Sequence, residues 1–90
     1  MDRKIKVMIA DDQVILAEGI RSVLETDPEL EVVGVAFDGF DALKKMEDNL
    51  PDVVLMDIRM PNMNGVVATQ SIKSKYPDVK VVILTTFDDS

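Results

Sequence analysis

Apolar positions change period several times along the chain, and each change marks a switch between strand and helix. Residues 5–10 (Ile-Lys-Val-Met-Ile-Ala) are a short, mostly apolar run that reads as strand one. Over residues 13–26 the apolar side chains fall at Leu16, Ile20, Val23 and Leu24, a spacing that predicts helix one. Asp27-Pro28 stops it. Residues 31–37 predict strand two. Asp38-Gly39 opens helix two, with Asp38 suited to the N-cap, Asp41 a favourable first-turn charge, and Ala42, Leu43, Met46 and Leu50 on the inner face. Residues 53–57 predict strand three, and 58–64 a loop stiffened by Pro61. Asn64-Gly65 opens helix three, whose Ala68, Ile72 and Tyr76 face the core. Tyr76-Pro77-Asp78 ends that helix, and residues 79–86 predict strand four.

Strands alternating with helices predict an α/β fold with a parallel sheet and right-handed crossovers. Ligands of such sheets collect beyond the carboxyl ends of the strands. Strand one runs into Asp11-Asp12, strand three ends in Asp57, and Thr85 falls at the end of strand four. Three carboxylates at one rim repel one another unless a cation sits among them or one holds a proton. Each residue also has an ordinary reading. Asp11 or Asp12 could cap helix one, Asp57 could be a loop carboxylate, and Thr85 could be a β-former. Asp88 and Asp89 read as a solvated turn, and the six methionines as flexible core filler. Together, Asp11, Asp12, Asp57 and Thr85 share one rim of one sheet, which favours a site.

Composition narrows the chemistry. A chain of 90 residues, 47% apolar and 30% charged, makes one folded domain. Its net charge of −7 argues against binding nucleic acid, which demands basic patches. Without cysteine or histidine there are no disulfides, thiolate or imidazole metal ligands, or Ser-His catalysis. The apolar runs are too short for a membrane span and no signal peptide is visible, so a cytoplasmic location is expected. A donor set of hard oxygens suits Mg²⁺, which takes one or two carboxylates and keeps several waters. A carboxylate beside that ion can act as nucleophile toward a phosphoryl group, whose oxygens the hydroxyl of Thr85 could then bind.

The run Met56-Asp57-Ile58-Arg59-Met60-Pro61-Asn62-Met63-Asn64-Gly65 resembles the phospho-acceptor loop of bacterial response-regulator receiver domains. Asp11-Asp12 and Leu84-Thr85 fit the same family. Ala10-Asp11-Asp12-Gln13, Val33-Gly34-Val35-Ala36 and Ile83-Leu84-Thr85-Thr86-Phe87 look like the NarL/LuxR class of transcriptional regulators. The resemblance implies a flavodoxin-like (CheY-like) sheet of order 2-1-3-4 with three helices, incomplete beside the family's five strands and five helices. Residues 1–90 would then be the N-terminal part of a receiver, ending before the fifth strand with its lysine and aromatic switch residue, and without a DNA-binding domain. It further implies that a sensor histidine kinase phosphorylates Asp57. Asp12 would ligate Mg²⁺ directly, Asp11 largely through water, Arg59 through its backbone carbonyl, and Thr85 would be the switch hydroxyl. In the full-length protein the module would control transcription without itself being an enzyme.

Two other classes compete. An aspartyl-phosphate phosphatase of the haloacid dehalogenase type also uses a strand-end aspartate and Mg²⁺, but wants a second aspartate where Arg59 stands. A non-phosphorylated scaffold with a vestigial site is the other. Strand four would form an apolar edge, and helix one would lack a neighbour on its face of the sheet. Exposing roughly 400 Å² of apolar surface there would forfeit about 10 kcal/mol at about 25 cal/mol per Å². That matches the whole stability of a small domain, about 5–15 kcal/mol, so pairing with a second copy is expected, through the edge, the bare face or an exchanged element.

Overall fold

The computed structural model describes residues 3–84. The elements in chain order are β1 (Ile5–Ala10), α1 (Val14–Leu24), β2 (Leu30–Ala36), α2 (Gly39–Asp48), β3 (Val53–Asp57), α3 (Gly65–Lys75) and β4 (Lys80–Leu84). Their ends differ from the predicted ones by the one or two residues usual for such boundaries. β2 starts and stops one residue early, and Phe37 leaves the sheet to donate its N–H to Asp41 at 3.1 Å. α1 starts after Gln13, which is extended, and ends where the Thr26 and Asp27 N–H groups turn back onto the carbonyls of Val23 and Leu24. Thr85 and Thr86, predicted to finish strand four, lie outside the described residues.

All strand pairs are parallel and the order is β2-β1-β3-β4, as the CheY-like reading requires. One irregularity interrupts the register. Val7 pairs with Val32 but Met8 with Gly34, so Val33 is an extra residue in β2.

Side chains alternate across the sheet, and the two faces are covered unequally. Met8, Ala10, Val54 and Met56 meet Ala42 and Met46 of α2 and Ala68 and Ile72 of α3 in one buried cluster. Leu43 and Tyr76 pack against it as predicted, and Met60 joins it as flexible filler. Val7 and Ile9 alternate with these residues in β1, and α1 contributes one fully buried residue, Ala17. The flank of α1 is open, in line with the expected lack of a neighbour for helix one. Leu16 is 37% and Val23 69% exposed, and with Ile20 and Leu24 they line an open apolar groove. Among the described residues the main contacts of α1 are with β1 and β2, so the strip directly over the sheet is the part that is covered. Leu50 is 45% exposed rather than inward, because α2 ends at Asp48 and the chain turns toward β3.

This asymmetry makes the helix pair α2/α3 the main source of stability. Ile72→Ala should cost about 2–5 kcal/mol in urea denaturation, whereas Val23→Ala should stay within about 0.5 kcal/mol. Equal costs would mean that the α1 face carries a comparable share.

Candidate acidic site

The register of β1 and β3 builds the site. Ala10 pairs with Met56, so the next residues, Asp11 just past β1 and Asp57 at the last position of β3, stand side by side at the sheet's carboxyl edge. From β1 the chain order runs to β2 on one side and β3 on the other, which makes this the switch point of the sheet. One carboxylate oxygen from each of Asp11, Asp12 and Asp57 lies within 4.8 Å of the others. Asp11 is 0% and Asp57 2% exposed, while Asp12 is exposed at the surface. Helix capping does not account for the acidic pair, since the N-cap of α1 is Gln13 and carries no side-chain cap. Asp11 Oδ1 accepts the Gln13 N–H at 2.8 Å, and Asp11 Oδ2 is buried without a hydrogen-bond partner.

A buried, orphaned carboxylate oxygen facing other carboxylates is a costly arrangement. Two unit charges at about this separation repel by about 3 kcal/mol at an effective dielectric near 20. Burial pushes the Asp11 carboxyl above the ordinary carboxylate range, the neighbouring Asp57 and Asp12 charges push the same way, and the Gln13 N–H pulls against them. A hard cation would relieve both the orphaned oxygen and the repulsion, so the donor set fits Mg²⁺.

The loop after β3 bends tightly over Asp57. The Arg59 N–H donates to Asp57 Oδ1 at 3.4 Å, which sets the Arg59 peptide beside the carboxylate. Asn64 caps α3 by accepting the Val67 N–H at 3.0 Å, and the Gly65 N–H returns to the Ile58 carbonyl at 2.9 Å. A Cβ on Gly65 would lie 2.3 Å from the Asp57 carbonyl oxygen and 2.8 Å from Ile58 Cα. Both are backbone atoms, so only glycine lets α3 start this close to the acidic strand end. Sequence reasoning took Gly65 as a helix opening and missed this close approach. The structure thus gathers Asp11, Asp12 and Asp57 and sets Arg59 beside them, while Thr85 lies outside the described residues.

Comparison with known proteins fits this geometry. Residues 7–90 match the model of the response regulator receiver domain. The chain is 51% identical over 86 residues to the transcriptional regulatory protein LnrK of Bacillus subtilis, covering 96% of the chain and 39% of LnrK. It is 46% identical over 83 residues to a protein-glutamate methylesterase/protein-glutamine glutaminase of Oleidesulfovibrio alaskensis, covering 92% of the chain and 23% of that protein. The structure of the receiver domain of the putative response regulator NarL from Mycobacterium tuberculosis superposes with a TM-score of 0.86 at 34% identity, over 98% of this chain and 71% of that one.

Two expectations follow from the geometry. Because Asp11 holds its proton more tightly folded than unfolded, the native state binds more protons above pH 3.8, and stability falls as pH rises toward the raised native value. Asp11→Asn should therefore raise the unfolding midpoint at neutral pH in chelator and bring no such gain well below pH 3.8, as followed by thermal melts across pH. Gly65→Ala should destabilise by about 1–3 kcal/mol in denaturant titration, because backbone must shift to make room. A neutral effect would mean that the β3–α3 junction is slack.

Proposed function

The chain belongs to the response regulator receiver domain family, and from that premise we propose that it accepts a phosphoryl group on Asp57 in two-component signalling. The single observation that carries this reading is the convergence of the Asp11, Asp12 and Asp57 carboxylates, with one buried oxygen left unpartnered. Asp57 is the nucleophile: one of its oxygens bonds to phosphorus as the donor's bond to phosphorus breaks. Asp12, Asp57 and the Arg59 backbone carbonyl would hold Mg²⁺, with Asp11 acting largely through water. When bound, that ion supplies neutralisation of charge on the transferring oxygens. Thr85 is the hydroxyl that receives the phosphoryl oxygens afterwards.

The chain covers 71% of the NarL receiver structure. The phosphodonor partner is a sensor histidine kinase in the cytoplasm. No helix among the described residues is long and apolar enough to cross a membrane. In the whole protein, phosphorylation shifts a conformational equilibrium that controls transcription, and this module makes no nucleic-acid contact of its own. The resemblance to LnrK, named as a transcriptional regulatory protein, favours that output over the methylesterase output of the other relative. The module is not itself an enzyme; a dehalogenase-type phosphatase would need an acid at Arg59. Self-association is supported by the groove on α1 and by Val82 and Ile83 of β4, both more than two-fifths exposed.

Incubation with Mg²⁺ and acetyl phosphate, followed by mass analysis, tests the assignment. One phosphoryl group should be gained and mapped to Asp57, and Asp57→Asn should gain none. Should neither this chain nor a version lengthened through the rest of a receiver take up phosphate, Asp57 is not the acceptor.

A further inference from the structure

The loop that follows Asp57 is tied to an element with no part in the acidic cluster. Asp38, the N-cap of α2, accepts the Asp41 N–H on Oδ1 at 2.8 Å and the Asn62 side-chain amide on Oδ2 at 2.8 Å. One residue on, the Gly39 N–H donates to the Met63 carbonyl at 3.0 Å. A Cβ at Gly39 would fall 2.6–2.8 Å from Met63 Cβ, Cγ and Sδ, so the Met63 side chain fills the space a glycine leaves. Among the described residues Asn62 is the non-glycine residue with positive φ, at 65°. Asparagine tolerates that region better than most residues, and its amide is thereby turned toward Asp38. The bond is charge-assisted, and it holds the Asp38 carboxyl below the usual carboxylate range together with the Asp41 N–H.

We infer that Asp38 and Asn62, with Gly39 and Met63 beneath them, position the acceptor loop, so that the start of α2 sets the placement of the Arg59 peptide at the cation site. The inference rests on the proposed role of the acidic site and deepens it. At one end the loop is closed by Gly65 on Ile58. At the other it is held by Asn62 and Met63 on α2. Arg59 lies between these anchors, and its N–H is already on Asp57. Loosening the α2 anchor leaves all three carboxylates in place but lets the Arg59 carbonyl wander. The loss should therefore fall on cation affinity more than on folding.

Mg²⁺ titration of the chain tests this, with the Arg59 amide followed by NMR and folding monitored by circular dichroism in chelator. Asn62→Gly keeps the positive φ and deletes the amide; Asp38→Ser keeps a cap but cannot serve both partners. Each should weaken Mg²⁺ binding about tenfold, as loss of an outer partner of a metal site does. The double variant should bind no more weakly than either single one, since both break one contact. Gly39→Ala, which pushes on Met63 from the α2 side, should weaken binding in the same direction. If Asp38→Ser fails to fold, Asn62→Gly, at an exposed side chain, still decides the matter. Unchanged Mg²⁺ affinity in a folded Asn62→Gly chain, with only a lower melting temperature, reduces the contact to a helix cap and overturns the inference. No Mg²⁺ binding by the unaltered chain overturns the acidic-site reading as well.

Discussion

Mutual repulsion of carboxylates held by a rigid sheet is the constraint on which this molecule depends. Asp11 and Asp57 cannot move apart, because each is the residue that follows a paired position in adjacent parallel strands. The side chains before them, Ala10 and Met56, are fully buried, so the strand ends are anchored in the core. Burial then removes the water that would screen the charges. The unfavourable energy is local, and a small hard cation or a proton relieves it. A fold that concentrates such strain at one rim has its stability and its ligand linked by mass action.

The surrounding structure serves this rim. α2 and α3 share one buried cluster with the sheet, and the loop carrying Arg59 bridges their N-termini. Gly65 lets α3 begin against the carbonyl of Asp57, and Asn64 caps it there. On the opposite face α1 covers the sheet sparsely, and its flank is open and apolar. The acidic cluster and the exposed apolar surface thus occupy different parts of the molecule: one polar and largely buried at the strand ends, the other along α1 and β4.

Much of this was legible in the residues. Periodicity located every strand and helix, because apolar runs such as 53–57 and the spacing Ala42, Leu43, Met46 have few other readings. The strand order came from the resemblance of the Asp57 loop to receiver domains, since alternation alone says parallel but not which strand lies beside which. The partners of Asp38 were half visible: its cap to Asp41 is local, whereas its bond to Asn62 joins residues 24 positions apart and appears only once α2 and the loop dock. The exposure of Leu50 was misread for the same reason. A helical stripe says which side chains share a face, and the neighbouring elements decide how much of that face is covered. Nothing local marked the close approach at Gly65, or the extra residue in β2, where propensity is silent and register decides.

The most direct measurement is paramagnetic. Mn²⁺, a hard divalent cation with the same oxygen preference as Mg²⁺, can be added at trace level while amide signals are followed by NMR. If three carboxylates share one cation site, the amides of residues 11–13 and 57–59 broaden first, and Mg²⁺ competes the effect away. Broadening spread evenly over the acidic surface of this chain, or absent from the strand ends, would contradict a common site.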